Sequence, residues 1–184
     1  MEALQTRRLT LRQWEESDRG DLFEYASGSV VGPSAGWEPH KTPEDSGAMI
    51  ERLRSYPDCY AIVLREQNKV IGCIGLYKTS LSDGIRSQSA RELGFSLNPA
   101  FWGLGYATEA ARAVLAHGFD TLALDTIFCA HFDFNLGSAR VCQKLGFTYT
   151  FERRRRYAFM KSRPVTERVY FLTQEQFHAN AAIR

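Results

Sequence analysis

Gly103 and Gly105, one residue apart, separate a strand-like run over residues 91–97 from an alanine-rich stretch that begins at Tyr106. Glycine reaches backbone conformations closed to other residues and lets the chain pass close to a ligand. A helix that begins directly after such a turn presents its unpaired first N–H groups and the positive end of its dipole. That combination can receive a phosphate. The spacing is not GxGxxG, because position 108 is Thr, and not GxxxxGK[ST], because no lysine follows the second glycine. A dinucleotide fingerprint and a P-loop are therefore not read here. Taken alone, the run also fits a tight strand-to-helix turn that holds nothing.

Two other places could move protons. Glu92 stands just ahead of the turn on the same strand-like run. A carboxylate there can exchange a proton, and it also fits an acid at a strand end. On a helix over residues 138–145, Val141, Cys142 and Leu145 form an apolar stripe, and Ser138 lies one turn before Val141 on the same side. An inward hydroxyl needs a partner. Asn135 offers an amide with both donors and an acceptor, and either residue can cap the helix start.

The elements that must position these groups follow from local patterns. Residues 8–12 alternate as a strand, and Ser17 reads as the cap of a helix reaching about Ser27, with Leu22, Phe23 and Ala26 on one face. Residues 28–41, rich in Gly, Pro and Ser and carrying Trp37 and His40, read as a long loop. Pro43 opens a helix that ends near Tyr56. Residues 60–66 and 70–78 form a hairpin, and 79–90 a polar loop. After the glycine turn, Ala107, Ala110, Ala111, Val114, Leu115 and Gly118 line one helical face. Residues 126–131, 147–155 and 167–172 read as strands, Gly146 as the end of the helix at 138–145, and Thr173 with Gln176 as a capping box. Strands and helices mix, with hairpins near each end, which argues for an α+β (mixed α/β) sheet rather than a doubly wound parallel one.

Bulk composition narrows the classes. A chain of 184 residues suits one domain, residues 1–184, with a substantial core. With 44% hydrophobic and 24% charged residues, a soluble globular protein is expected. A net charge of +2 does not argue for nucleic acid or a membrane surface, and no apolar run is long enough to span a bilayer. A cytoplasmic location is expected, with no membrane or nucleic-acid partner. The four cysteines are scattered, without ligand spacing, and read as buried small hydrophobes; no metal is expected. The arginine run at 153–156 reads first as a solvated segment.

Three stretches together resemble the GCN5-related N-acetyltransferase (GNAT) family, and within it the Rim-type branch that acetylates protein N-termini. TRRLTLR (residues 6–12) resembles the first strand, FWGLGYATEA (101–110) is similar to the acetyl-CoA turn, and NLGSARVCQKLGF (135–147) is similar to the late helix and the strand beyond. Trp102 stands where the wider family prefers Gln or Arg. The resemblance implies one domain with a central, mostly antiparallel twisted sheet, splayed at the acetyl-CoA site and flanked by helices. It implies acetyl-CoA as co-substrate, with its diphosphate on the backbone N–H groups of Gly103, Leu104, Gly105, Tyr106, Ala107 and Thr108. Pantetheine would lie along Phe95, Ser96 and Leu97, where a backbone N–H would polarise the thioester carbonyl. Asn135 would hold the pantetheine arm and Ser138 would protonate the departing thiolate. Glu92 would be the base, with Glu152 a weaker candidate, and Trp37 and His40 would belong to the acceptor pocket.

The implied acceptor is a primary amine, either a protein or peptide α-amine or a small molecule such as an antibiotic or polyamine. Two readings from other classes stay open. One is a CoA-binding module without turnover, and the other is an RNA- or ribosome-associated protein resting on the arginine run. A homodimer is also open.

Overall fold

Two strands open the chain, β1 (Leu4–Gln5) and β2 (Leu9–Arg12). Leu9 and Leu11 are fully buried while Thr10 and Arg12 are not, the alternation of a half-buried strand. The next helix, α1 (Arg19–Ala26), is not capped by Ser17. A 3-10 turn over Glu16–Asp18 precedes it, and the Asp18 carboxylate accepts from the Glu15 N–H at 2.8 Å and from Arg12 at 2.7 and 2.8 Å. Ser17 lies inside that 3-10 turn, whose capping box joins Glu15 and Asp18. The expected loop over residues 28–41 contains a short helix, α2 (Val31–Ala35), closed by Gly36 at φ 91°. Helix α3 (Pro43–Arg54) starts as read, and Asp45 accepts from the Thr42 N–H at 3.0 Å.

The hairpin β3 (Cys59–Leu64) and β4 (Lys69–Lys78) follows, then β5 (Ala90–Leu97), α4 (Tyr106–Ala116), β6 (Thr126–Phe132), α5 (Leu136–Leu145), β7 (Thr148–Arg156), β8 (Pro164–Thr173) and α6 (Gln174–Ala182). The capping box of α6 has both of its bonds: Thr173 N–H to Gln176 Oε1 at 3.0 Å, and Gln176 N–H to Thr173 Oγ1 at 3.2 Å. The structure, a computed structural model, describes residues 2–79, 81, 89–160 and 164–182. Most of the polar loop read over 79–90 lies outside the described residues.

Eight strands make one mixed sheet in the order β1-β2-β3-β4-β5-β6-β8-β7. Pairing is parallel at β5–β6 and antiparallel at β1–β2, β2–β3, β3–β4, β6–β8 and β7–β8. The chain divides into two compact units, Met1–Gly75 with Phe95–Ala113, and Leu76–Gly94 with Val114–Arg184. In the first, β1 to β4 are layered by α1 and α3, and Leu9, Leu11, Ile50, Ile62 and Ile71 are buried. The end of β5 continues this unit, where the Asn98 N–H donates to the Ile71 carbonyl at 2.8 Å.

Gly72 is required at that crossing by contact. A Cβ on it would stand 2.4 Å from the Ser96 carbonyl oxygen and 2.9 Å from Leu97 Cδ1. Gly72→Ala is therefore expected to cost about 2–4 kcal/mol, because backbone rather than a mobile side chain must yield. A denaturant midpoint equal to that of the wild type would show that the two strands separate there freely.

In the second unit the parallel ladder runs from Ala90↔Thr126 to Leu93↔Cys129 and ends. β5 continues to Leu97, while β6 remains paired with β8 as far as Phe132↔Glu167. Leu81, Phe128 and Val169 form a core on one face of this unit, with Ala90, Ala130, Phe151 and Phe171 around it. All four cysteines are buried thiols; Cys129 and Cys142 Sγ atoms are 3.4 Å apart, which places α5 on the face of β6 that Cys129 occupies.

Candidate active site

In the first unit, Asn98 turns the chain out of β5. Its Oδ1 accepts the Ala100 N–H at 3.0 Å, and its Nδ2 donates to Glu24 at 2.9 Å. Trp102 Nε1 donates to the Leu97 carbonyl at 2.8 Å, which gives this departure from the usual Gln or Arg a structural task. Gly103 and Gly105 follow at φ 77° and 85°, in the left-handed region that favours glycine. Helix α4 then begins, and its first bond runs from the Glu109 N–H to the Gly105 carbonyl at 3.0 Å.

Among the described residues, the N–H groups of Gly103, Leu104, Gly105, Tyr106, Ala107 and Thr108 have no protein partner. Gly103, Leu104 and Gly105 are exposed, and Tyr106, Ala107 and Thr108 half-buried. Six adjacent donors at the positive end of a helix are an arrangement that can receive an anion. Ala110, Ala111, Val114 and Leu115 are fully buried, so the apolar face holds this helix mouth in place.

Residues outside the glycine motif brace the turn. Glu109 accepts from the Thr6 hydroxyl at 2.7 Å, the Arg8 N–H at 2.8 Å and Arg8 Nε at 2.7 Å. Burial raises this carboxyl, but the three donors outweigh it and hold the group below the ordinary glutamate range. Sequence reading placed Thr6 and Arg8 only in a strand motif and Glu109 only in a helix. The signal available was an acid in the first turn whose partner could not be named.

In the second unit, cross-strand pairing sets which side chains share a face. Glu92 lies beside Phe128, and Phe132 beside Glu167, which in turn lies beside Arg153. By alternation Glu92, Glu167, Arg153 and Arg155 occupy one face. Glu92 accepts from the Thr79 hydroxyl at 3.2 Å. Burial pushes its carboxyl above the ordinary range, against the pull of Arg153, the Thr79 bond and Arg155. A buried carboxylate whose pKa is raised holds its proton more readily than an ordinary glutamate, a property compatible with proton exchange.

Glu167 is buried, with Arg153 Nε at 2.5 Å, Tyr157 Oη at 2.5 Å and Arg155 Nε at 3.4 Å. Burial, then this bond, pushes the Tyr157 hydroxyl up to about 12. The arginine run is thus not a uniformly solvated segment, because strand alternation turns Arg153 and Arg155 toward Glu167. Glu152 is exposed and lies beside Arg168, on the opposite face.

Asn135 is the cap of α5, and its Oδ1 accepts the Ser138 N–H at 3.0 Å. The amide oxygen therefore serves the Ser138 backbone. Ser138 is half-buried. Since α5 packs on the Cys129 face, Ser138 and Glu92 approach the sheet of this unit from opposite faces. Of the acceptor-loop residues, Trp37 is half-buried and packs over Gly32, where a Cβ would meet its ring at 2.8 Å. His40 is buried behind it, ring centroids 5.2 Å apart, with Nδ1 bonded to Ser46 Oγ at 2.8 Å. Burial lowers its pKa, so the ring is neutral at pH 7.

A family model described as acetyltransferase (GNAT) domain matches residues 8–148, which span the braced turn, Glu92 and all of α5. The chain belongs to the GNAT family. Its similarity to the uncharacterized N-acetyltransferase YnaD of Bacillus subtilis (strain 168) is 32% identity over 142 residues, 77% of this chain and 79% of that one. A GNAT-family acetyltransferase from Bacillus anthracis superposes with a TM-score of 0.82 at 25% identity, covering 95% of this chain and 99% of that one. The ribosomal-protein-S5-alanine acetyltransferase of Vibrio fischeri shares the fold, with a TM-score of 0.76 at 18% identity over 96% and 99% of the two chains.

This GNAT protein is accordingly an acetyl-CoA-dependent N-acetyltransferase with an amine acceptor, of the α+β class that the residues implied, on a mixed sheet of eight strands. Among the described residues no helix is long and apolar enough to cross a membrane, and no group of three or more His, Cys, Asp or Glu could hold a metal.

Proposed function

We propose that this enzyme acetylates the α-amine of a protein or peptide N-terminus, as members of the Rim-type branch do, and works in the cytoplasm. The unpartnered N–H row from Gly103 to Thr108 carries the donor half of the reading. The diphosphate of acetyl-CoA lies on that row. Pantetheine runs along Phe95, Ser96 and Leu97, beside β5 past the end of its parallel ladder. There it substitutes for a partner strand, and a backbone N–H of β5 donates to the thioester oxygen. The family resemblance gives Glu92 the part of base and Ser138 that of acid toward the thioester.

The amine enters as an ammonium and gives a proton to Glu92, directly or through water. Its lone pair then attacks the carbonyl carbon, the C–S bond breaks, and the thiolate takes a proton from the Ser138 hydroxyl, which solvent restores. Asn135 keeps α5 in place beside the arm, and the Trp37 ring, backed by His40, forms a wall for the acceptor. Positioning supplies a large part of the rate, since the reaction joins two substrates. The fold shared with a ribosomal-protein-S5-alanine acetyltransferase supports the α-amine acceptor.

Thiol release from acetyl-CoA across peptides with free N-termini, polyamines and aminoglycosides tests the acceptor. Peptides are expected to exceed the small amines in kcat/KM by about tenfold or more, the margin that one or two extra acceptor contacts supply. The reverse order would assign a small-molecule acceptor instead.

A further inference from the structure

We infer that Arg8, in the link between β1 and β2 and 96 positions before Leu104, is a positioning residue that aims the Leu104–Gly105 peptide at the diphosphate of the donor. The inference rests on acetyl-CoA binding at that turn. Two edges of one planar guanidinium are engaged. Nε donates to Glu109 Oε2 at 2.7 Å and Nη1 donates to the Leu104 carbonyl at 3.0 Å. The Cζ atom lies 4.1 Å from the centroid of the Tyr106 ring, so the plane is also held from its face. The Arg8 N–H adds a third bond, to Glu109 Oε1 at 2.8 Å, and the Thr6 hydroxyl, which accepts the Leu9 N–H at 2.9 Å, adds a fourth at 2.7 Å.

The consequence follows from peptide geometry. The C=O and N–H of a trans peptide point in opposite directions, and among the described residues no peptide bond is cis. Drawing the Leu104 carbonyl toward Arg8 therefore turns the Gly105 N–H away from Arg8, into the unpartnered row. The Gly105 carbonyl is fixed in turn by the Glu109 N–H at 3.0 Å, which directs the Tyr106 N–H out of the helix mouth. Glu109 thus acts at both ends: its backbone orients one peptide of the turn, and its carboxylate orients the arginine that controls the other. Without this brace, two residues at positive φ leave the turn free to rotate its amides.

The test is isothermal titration of CoA and of pantetheine, which lacks the diphosphate and nucleotide, against wild type, R8Q and R8K, with unfolding midpoints of the unliganded proteins. Kd for CoA is expected to rise about tenfold in R8Q, the cost of losing charge-assisted bonds that align a receptor amide. Pantetheine affinity is expected to change by less than about twofold, because its groove lies along β5. R8K should be as impaired as R8Q, since an ammonium cannot fill both edges of the fork. Parallel losses for both ligands, no loss for either, or full rescue by lysine would each overturn the inference. A wild-type protein that bound neither CoA nor acetyl-CoA would overturn the donor reading as well.

Discussion

Gly105→Val should raise the Kd for acetyl-CoA by about 30- to 100-fold, the largest effect expected from any single change at the turn. The cause is conformational rather than steric crowding. A Cβ on Gly105 would meet only Arg8 Nη2, at 3.5 Å, an ordinary contact. The backbone there has φ 85°, however, where a β-branched side chain is a strong outlier. To relieve that strain the chain must rotate about Gly105, and the adjacent N–H groups rotate with it. Each amide that leaves the row takes a charge-assisted bond from the diphosphate. Titration of acetyl-CoA into folded Gly105→Val checks this, with unchanged affinity placing the diphosphate elsewhere on the molecule. Gly103 has nothing within 4 Å of a built Cβ, so the same comparison at that position isolates backbone strain from contact.

Glu92→Gln is expected to lower kcat about 100-fold near pH 6 and much less near pH 9, with acetyl-CoA affinity unchanged, within the range seen for loss of a general base. The sign follows from two titrations. In the wild type, the rate rises with pH as Glu92 loses its proton, and burial places that step above the ordinary glutamate range. Below it Glu92 is protonated and inert; above it the carboxylate takes the proton of the acceptor. In the glutamine variant, only the acceptor's own deprotonation remains, at about 7.7–8.0 for an α-amine. The deficit is therefore greatest between those two steps and closes as pH passes the upper one. A variant profile that parallels the wild type at every pH would remove Glu92 from the mechanism. The amide is isosteric and keeps the Thr79 contact, so a fall in stability is not expected to confuse the result.

Much of the local backbone around the glycine turn and the helix ends is legible in the sequence. Gly103 and Gly105 were read as a turn, and both have positive φ. Gly146 ends α5 at φ 83°, and the Thr173–Gln176 box opens α6 as written. These features depend on residues within one helical turn of each other, where i, i+3 and i, i+4 geometry leaves little choice. The misread places also have causes. Ser17 does not cap α1 because it falls inside a 3-10 turn closed by Glu15 and Asp18, with Arg12, on a separate element, holding the Asp18 carboxylate. Residues 28–41 hid α2 because its five residues, VGPSA, carry no helical periodicity, and Trp37 packing over Gly32 holds them instead.

From sequence alone came most of the elements, the glycine turn and the family, consequences of short-range stereochemistry, hydrophobic spacing and motif resemblance. Tertiary structure decided the partners. Glu109 meets Thr6 and Arg8 about a hundred positions away, and Glu167 meets Arg153 because β8 lies between β6 and β7. Strand order chooses which charged side chains become neighbours, and no local pattern encodes it. A buried carboxylate accepts whichever donors that order delivers, so its role is settled only when the sheet is assembled.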